Sequence, residues 1–238
     1  MSDTVTLLGI RLHRIDREAL HDALERAING AKQTLLATTN PEMLYAASHA
    51  QEIARSLKAF DWRIPDGFGI TLMSFVTGHG IILRHPGVDL FVDLCRLAAQ
   101  HNKRVVVLGG WGDANEKALR ELRSMIPTLD IQGIGDVVVR LCDDAWQQPS
   151  TLLENLRALK PDVIAVALGG AAHARQERWI VEHAKHMPSA KIIMGIGGAL
   201  NMLAGKIPRA PKLMQRLGIE WLWRFLHEPS RAERMWHA

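Results

Sequence analysis

The stretch that most directly indicates chemistry reads WRIPDGFGI, at residues 62–70, and it places an acid between a proline and a glycine. Pro65 fixes its own backbone dihedral, and the glycines that follow permit a tight turn or a close backbone approach. Asp66 is therefore held at the end of an element, beside apolar residues. Its carboxylate can cap a helix that begins near Phe68, which the local sequence favours, or it can act as a general base.

A second such stretch is LGGWGD, residues 108–113, which follows an apolar run and precedes a helical pattern. The backbone amides of Gly109 and Gly110 at a helix N-terminus suit a phosphate, which predicts contact with a nucleotide. The stretch is neither a full GxGxxG fingerprint nor a Walker A loop. Glycines that are needed only for a tight turn explain it equally well.

The sequence predicts no metal site. Asp143 and Asp144 are adjacent, in a predicted loop before Pro149, and we interpret them as solvated rather than as a chelating pair. His183 and His186 have helical spacing, but no acid or cysteine nearby completes a metal set, so both are predicted to be surface histidines. Neither a cofactor nor a nucleic-acid partner is predicted.

The length of 238 residues fits one large α/β domain with a small appendage. The two cysteines, Cys95 and Cys142, form no CxxC pair, which indicates a reducing cytosol. No charged segment followed by an apolar one opens the chain, so no signal peptide is expected. The longest apolar run, residues 163–172, is shorter than the ~18 residues that suggest a membrane span.

The charge is distributed unevenly. Seven basic and three acidic residues lie after residue 205, so this segment carries the whole net charge of +4. It also contains three of the seven tryptophans, and Leu217, Trp221 and Phe225 form an apolar stripe at four-residue spacing. A basic, tryptophan-rich helix suits contact with a membrane surface. A terminal helix docked on the domain, with a solvated basic face, explains the pattern equally well.

These residues depend on the elements that position them, and the pattern predicts alternating strands and helices. Predicted strands cover residues 4–10, 33–38, 104–108, 130–134, 162–168 and 191–196. Predicted helices cover residues 16–29, 42–59, 68–76, 88–101, 115–125, 150–159 and 175–186. The order indicates an α/β fold with a mainly parallel sheet and helices on both faces. Ligands of such sheets bind beyond the carboxyl ends of the strands, where most of the suggestive residues lie.

Pro208 and Pro211 mark the boundary that the sequence offers. We therefore expect an α/β core over residues 1–205 and a helical, membrane-associating appendage over residues 206–238.

Several motifs occur in an order that resembles one family. They are TTNPEM, IPDGFGI, the element of Arg84 and Gly87-Val88-Asp89-Leu90, VVVLGG, RQERWI and the run GIGGALNMLAGKIPRAPKLMQRLGIEWLWRFLHEPSR. This order is similar to that of the WecG/TagA/CpsF glycosyltransferases, glycosyltransferase family 26, over about residues 4–236. The most specific parts are NPE, PDGxG and RAPxxMQRxGxEWxxR.

The resemblance implies a Rossmann-like α/β domain with a C-terminal appendage that contacts the membrane and completes the site. It implies transfer of a sugar, commonly of the N-acetylmannosamine type, from a UDP donor to an undecaprenyl-diphosphate-linked acceptor, with inversion of the anomeric centre. The expected location is the inner face of a bacterial cell membrane, in the synthesis of a surface polysaccharide or a teichoic acid. Whether the protein forms a homo-oligomer is left open.

The resemblance also implies roles for single residues. The family's proposed base falls on Asp66, so a base is favoured there over a cap. The substrate-binding positions fall on Thr38, Asn40, Arg84, Gln176, Arg224, Arg231 and Arg234. Because no acid pair is available to chelate a metal, arginines and helix amides are expected to stabilise the leaving diphosphate without a metal ion.

Two departures from the family pattern bear on the choice of donor. The link GGAAHARQE, residues 169–177, is three residues longer than the family's usual one and lacks its Pro-Lys pair, so Arg175 can replace the lysine. Asn201 stands where the family commonly has an acid, and it is predicted to contact the nucleotide together with Gly109 and Gly110.

Two other functions fit parts of the sequence. A dinucleotide-dependent oxidoreductase could use the LGGWGD loop, with Asp130 or Asp136 within the expected range of a ribose-binding acid. A non-catalytic, nucleotide-sensing membrane adaptor could retain the fold, although the presence of Asp66 argues against it.

Overall fold

The computed structural model describes residues 3–142, 145–169 and 174–211, together with Met214 and Trp223. The strands in these residues are β1 (Thr4–Leu7), β2 (Ile10–His13), β3 (Thr34–Thr39), β4 (Trp62–Pro65), β5 (Val105–Gly109), β6 (Ile131–Ile134), β7 (Arg140–Cys142), β8 (Ala145–Gln147), β9 (Val163–Ala167) and β10 (Ile192–Gly195). The helices are α1 (Arg17–Asn29), α2 (Pro41–His49), α3 (Gln51–Lys58), α4 (Phe68–Val76), α5 (Gly87–Gln100), α6 (Ala114–Met125), α7 (Leu152–Ala158), α8 (Arg175–His183) and α9 (Ala199–Leu203).

The central sheet has six strands in the order β4-β3-β10-β9-β5-β6, and every neighbouring pair is parallel. β10 lies between strands that are distant in sequence, so that Ile193 pairs with Leu35 on one side and Ile164 on the other. The carboxyl ends of all six strands therefore meet at one edge. The predicted α/β fold with a mainly parallel sheet is confirmed.

Apolar side chains cover both faces of this sheet. On one face, Val105, Val107 and Met194 pack with α1, α5, α6 and α9. On the other face, Val106 and Ile164 pack with α7 and α8. Alternate residues of a strand point to opposite faces, which explains why these strands read as continuous apolar runs. A third cluster joins β1, β2, α2, α3 and α4.

Several element predictions were wrong in detail. Residues 4–10 were predicted as one strand, but β1 and β2 form an antiparallel hairpin that turns at Leu8–Gly9. The helical region at residues 42–59 is two helices, because Ala50 has an extended backbone between them. The strand β4, the hairpin of β7 and β8, and α9 were not predicted at all.

One side-chain prediction was also wrong. His183 was predicted to lie at the surface, but it is 9% exposed and stacks on Trp179 with ring centroids 4.7 Å apart. Its Nδ1 lies 2.9 Å from the Trp179 carbonyl oxygen, so the ring is part of the packing of α8.

The predicted appendage falls mainly outside the described residues, as do Arg224, Arg231 and Arg234. The described residues of the appendage include one internal contact. Trp223 donates through its indole Nε1 to the carbonyl oxygen of Pro208, at 2.9 Å. Among the described residues, no helix combines the length and apolar character that a bilayer crossing requires.

Candidate active site

Asp66 lies directly after β4, at the carboxyl edge of the sheet. The helix α4 has Gly67 as its N-cap and no capping hydrogen bond from a side chain, so Asp66 does not cap it. The Asp66 carboxylate instead accepts from the backbone N–H of Gly87, with N and Oδ2 3.4 Å apart. Gly87 is the first residue of α5, and the partial positive charge of that helix end faces the carboxylate.

Thr38 reaches the same point from β3. A Cβ atom on Gly87 would lie 3.0 Å from Thr38 Oγ1 and 3.4 Å from Asp66 Oδ2. The bare backbone of Gly87 therefore sits against both side chains, which a larger residue would displace. The Thr38 hydroxyl also lies 3.5 Å from the carbonyl oxygen of Gly195, to which it donates weakly. Three strands, β4, β3 and β10, thus meet around α5's first turn.

The loop before α5 is held in place by His85. Its backbone N–H donates to the carbonyl oxygen of Pro65 at 2.8 Å, which joins this loop to the last residue of β4. Its ring Nε2 lies 2.9 Å from the Ile15 carbonyl oxygen, and the side chain is buried. Two anchors on one residue fix where Gly87 meets Asp66.

Asn40 has a structural role in α2. Its Oδ1 accepts from the Met43 backbone N–H at 2.9 Å, and Pro41 occupies the first helical position. This confirms the helix start that Asn40-Pro41 predicts. The oxygen is thus used in the cap, and the Nδ2 group of Asn40 offers donors for a ligand.

Gln176 is buried at the start of α8, and its side chain joins this helix to the loop after β10. Its Oε1 accepts from the Gly197 backbone N–H at 2.9 Å, and its Nε2 donates to Glu177 Oε1 at 2.7 Å. The amide therefore holds the loop that follows β10 in place. Burial raises the pKa of Glu177, and the hydrogen bond from Gln176 opposes this only in part.

Two of the three glycines of the LGGWGD stretch, Gly109 and Gly110, are explained by packing. Gly109 has φ 95°, and a Cβ there would lie 2.6 Å from the Ala167 carbonyl oxygen of the neighbouring strand. Gly110 has φ 93°, and a Cβ there would lie 2.5 Å from Leu200 Cδ2 on α9. Asn115 closes the loop by donating from Nδ2 to the Gly109 carbonyl oxygen at 2.7 Å. Nucleotide contact at these glycines stays a prediction.

Two ion pairs bring the segment after α9 onto this edge. Lys206 Nζ lies 2.7 Å from Asp113 Oδ1, beside the LGGWGD loop. Arg209 Nη2 lies 2.5 Å from Asp89 Oδ1, on the first turn of α5. Hydrogen bonds from Lys117 and Lys206 lower the pKa of Asp113 to about 2. The carboxylate of Asp113 also makes the start of α6 less suited to a phosphate.

Arg84 lies three residues before Gly87 and lines a cleft between α1 and α5. Arg17 and His21 from α1 line the same cleft, as do Asp89 and Asp93 from α5. The cleft has a volume of about 240 Å³ and lies beside the first turns of α5. Its two arginines are balanced by its two aspartates, and Arg17 Nη2 lies 2.8 Å from Asp93 Oδ2.

The similarity of this protein to a known family extends over nearly the whole sequence. It matches the family described as "Glycosyl transferase WecG/TagA/CpsF family" over residues 5–238. The chain belongs to the WecG/TagA/CpsF family of glycosyltransferases. The predicted enzyme class is thereby confirmed, and neither the oxidoreductase nor the non-catalytic adaptor is favoured.

Curated relatives carry a more specific name. The N-acetylglucosaminyldiphosphoundecaprenol N-acetyl-beta-D-mannosaminyltransferase of Bacillus subtilis (strain 168) is 29% identical over 201 residues, which cover 84% of this chain and 74% of that protein. The protein of the same name from Staphylococcus aureus (strain MRSA252) is 28% identical over 203 residues, with coverages of 84% and 74%. A third, from Bacillus spizizenii (strain ATCC 23059 / NRRL B-14472 / W23), is 29% identical over 204 residues and covers 86% and 75%.

In this WecG/TagA/CpsF glycosyltransferase, six of the eight predicted site residues that the structure describes fall into two groups along one edge. The other two are Asn40, which caps α2, and Arg84, which lines the cleft between α1 and α5. Thr38, Asp66 and Gln176 are linked through Gly87, Gly195 and the loop at Gly197. The second group is Gly109, Gly110 and Asn201, of which Gly110 packs against Leu200, the residue before Asn201 on α9. Asn201 lies on α9, and its backbone carbonyl oxygen accepts from the Lys206 N–H at 3.0 Å.

From the sequence, no site role was assigned to Gly87, Glu177 or Asn115. Gly87 is 21 residues from Asp66, so their contact leaves no local signal. Glu177 adjoins Gln176 in the RQERWI motif and is buried in α8. An acid at a helix position that faces the core was the signal in the sequence that could have identified it. Within the described residues, one group of side chains has metal-ligand spacing, formed by His21, Asp22 and Glu25, all exposed on α1. None of the predicted site residues belongs to it.

Proposed function

We propose that this glycosyltransferase moves an N-acetylmannosamine-type sugar from a UDP donor to an undecaprenyl-diphosphate-linked acceptor sugar. The observation that carries the proposal is the position of Asp66. Its carboxylate lies at the carboxyl edge of a parallel sheet, beside the Thr38 hydroxyl and the first turn of α5. The names of the curated relatives support the choice of donor sugar and of a lipid-linked acceptor.

The mechanism follows from the chemistry of an inverting transfer. Asp66 removes the proton from the acceptor hydroxyl, and the oxygen attacks the anomeric carbon from the face opposite the diphosphate. The bond from that carbon to the UDP oxygen breaks as the new glycosidic bond forms. Charge develops on the leaving diphosphate, and arginine guanidinium groups can stabilise it by paired hydrogen bonds.

Several residues are proposed to hold the substrates during this step. Thr38 and the Nδ2 group of Asn40 are placed to contact the sugars, and Gln176 positions the loop after β10. Arg84 from the core and the arginines at residues 224, 231 and 234 are proposed to bind the diphosphates. Gly109, Gly110 and Asn201 are proposed to contact the nucleotide.

The proposed place of action is the inner face of a bacterial cell membrane, because the acceptor is attached to a lipid. The protein is proposed to lie on that surface as a peripheral protein, with residues 206–238 as its membrane-associating appendage. The product would enter the synthesis of a surface polymer such as a teichoic acid or an exopolysaccharide.

A donor and acceptor screen tests the proposal. The purified chain is incubated with UDP-N-acetylmannosamine, UDP-N-acetylglucosamine, or NAD(P), each with a short-chain lipid diphosphate that carries N-acetylglucosamine. We expect a disaccharide-lipid product from the first donor, with a β linkage by NMR. Absence of any sugar transfer, or reduction of NAD(P) instead, would overturn the proposal.

The same assay tests the proposed independence from metal. A strong chelator should leave the turnover unchanged, because arginines and helix amides are proposed to stabilise the leaving group. Loss of turnover with EDTA that Mg²⁺ or Mn²⁺ restores would contradict this and identify a metal-dependent mechanism.

A further inference from the structure

The core carries an exposed apolar surface directly downstream of Asp66. It lies on the outward side of α4 and on the loop after it, and we define it as the α4 ridge: Leu72, Phe75, Val76, Ile81 and Leu83. Each of these side chains is about half exposed or more, and Val76 reaches 74%. Large apolar side chains that are grouped on a protein surface indicate a contact with another apolar surface.

The exposure is a fixed property of the fold, because hydrogen bonds hold the loop against α4. Thr71 Oγ1 donates to the Ile82 carbonyl oxygen at 3.0 Å. Ser74, which is fully buried, donates through Oγ to the Gly80 carbonyl oxygen at 2.8 Å. Ile82 is itself fully buried, so the residues on either side of it face outward.

The charge around the ridge favours a bilayer as its partner. The sequence has no acidic residue between Asp66 and Asp89, whereas Arg84 directly follows Leu83. The guanidinium of Arg14 also borders the ridge, because it donates to the carbonyl oxygen of His79 in the loop after α4. Apolar side chains flanked by cations are typical of segments that enter the interface of a membrane with anionic lipids. The nine residues of α4 contain no charged side chain at all, which lowers the cost of burying the helix in such an interface.

We propose that the α4 ridge inserts into the lipid bilayer surface, as a membrane contact of the core that is separate from the basic C-terminal segment. The choice of a lipid surface rests on the proposed function, since a lipid-linked acceptor is presented at a bilayer. An interfacial helix buries its apolar side by about 5–10 Å. Insertion of the end of α4 would therefore keep Asp66, just before its start, near the headgroups where the acceptor diphosphate lies.

Binding of the full chain to lipid vesicles tests the ridge directly. The ridge variant carries Phe75→Ser and Val76→Ser, which change the two residues at the end of α4 without altering charge. The matched control carries Leu8→Ser and Val138→Ser, two apolar residues that are 49% and 46% exposed elsewhere on the core. Co-sedimentation is measured with phosphatidylglycerol vesicles and, at high salt, with phosphatidylcholine vesicles, where charge attraction is screened.

We expect the ridge variant to bind phosphatidylcholine vesicles at least about tenfold more weakly than the wild type, because two apolar side chains no longer leave water. The control variant should bind like the wild type on both lipids. Equal binding of the ridge variant and the control would overturn the proposal.

A fluorescent label gives a second readout that does not depend on weakened binding. An environment-sensitive dye is attached at Val76→Cys in a Cys142→Ser background, where the remaining Cys95 is buried. Vesicles should shift its emission to the blue, and the same dye at Val138→Cys should not respond. A dye at residue 76 that is already blue-shifted without vesicles would show that the protein itself covers the ridge, which contradicts the proposal.

Two further measurements separate this inference from others. If sedimentation velocity shows that the wild type is a dimer and the ridge variant a monomer, the ridge binds a second copy and the proposal is wrong. Turnover on a water-soluble, short-chain acceptor should be the same in the ridge variant and the wild type. Absence of turnover in both would refute the proposed function and leave the vesicle result to decide on the ridge.

Discussion

At the scale of single residues, the carboxylate of Asp66 is the group on which the proposed chemistry depends. Asp66→Asn keeps the shape of the side chain and an oxygen that can accept a hydrogen bond from the Gly87 N–H. The neutral amide cannot remove a proton from the acceptor hydroxyl. We expect turnover to fall by about 10²-fold or more, the usual scale for loss of a general base, with little change in donor affinity. Steady-state kinetics and donor titration by calorimetry measure the two quantities. An Asn variant with wild-type turnover would show that the base lies elsewhere.

The position of Asp66 also shows what local sequence can and cannot predict. The residues from Pro65 to Phe68 predicted a fixed carboxylate and offered two roles for it, a cap of α4 or a base. The structure leaves the cap to Gly67 and places the carboxylate at the start of a different helix, α5. That contact joins two segments 21 residues apart, and no propensity or turn rule reports on it.

Glu177 provides a prediction about pH. Burial raises its pKa above the ordinary value of 4.5, so the folded protein holds this proton at pH values where the unfolded chain has released it. The corresponding stabilisation is complete below pH 4.5 and is lost as the pH rises through the raised pKa. Glu177→Gln keeps an oxygen that can accept from Gln176 but removes the titration. The melting temperature of this variant, relative to the wild type, should therefore increase as the pH rises above 4.5.

Thermal melts by circular dichroism between pH 4 and pH 8 check this pH dependence. A shift of about 2–4 °C corresponds to a change of 1 kcal/mol in a protein of this size. Glu121→Gln, which alters an exposed acid on α6, is the control and should show no such trend. A difference between wild type and Glu177→Gln that is the same at every pH would contradict the assigned burial effect.

At the scale of elements, the loop between β5 and α6 offers a test of packing against phosphate binding. Alanine at Gly109 or at Gly110 would adopt a left-handed backbone, at a cost of about 1–3 kcal/mol. Gly109→Ala should lower the unfolding free energy more than Gly110→Ala, because its Cβ meets a fixed backbone oxygen and not the end of a leucine side chain. Gly198→Ala, with φ −70° and open space around it, should leave stability unchanged.

Chemical denaturation measures these three variants, and titration with UDP adds the functional readout. If Gly109→Ala or Gly110→Ala loses UDP affinity while its stability is unchanged, the loop acts on the nucleotide and the packing explanation is insufficient. A stability loss at both glycines, with UDP affinity of the folded protein retained, supports packing as their reason.

The elements that sequence predicted well are those with strong local signals. Asp16 caps α1 through a 2.8 Å hydrogen bond to the Ala19 N–H, and the apolar strands β5 and β9 lie where their runs indicated. The elements that it missed are short or sit at an edge. β4 has only four residues, including Arg63, and it is recognisable only by its pairing with β3. The β1–β2 hairpin was read as one strand because its turn interrupts the apolar pattern for just two residues.

At the scale of the whole molecule, the C-terminal arginines have two candidate roles that lysine separates. A lipid field responds mainly to charge, whereas a forked contact with a diphosphate needs the planar guanidinium. We expect Arg224→Lys, Arg231→Lys or Arg234→Lys, made singly, to retain vesicle binding. Each should reduce turnover at least about tenfold, a loss of ~1.4 kcal/mol. Wild-type turnover in all three variants would leave the segment with membrane attachment alone.

The place of β10 in the sheet has a consequence for how the protein is made. β3 and β9 both pair with β10, yet β10 leaves the ribosome long after β3. Without β10, the strands of this sheet fall into two groups, β3 with β4 and β9 with β5 and β6, and each group has an open, apolar edge. Such edges are sites of misassembly and aggregation, and their closure requires contacts between residues far apart in sequence. A ribosome stalled before Lys191 would therefore display a chaperone substrate, and the last strand of the sheet converts it into a folded enzyme.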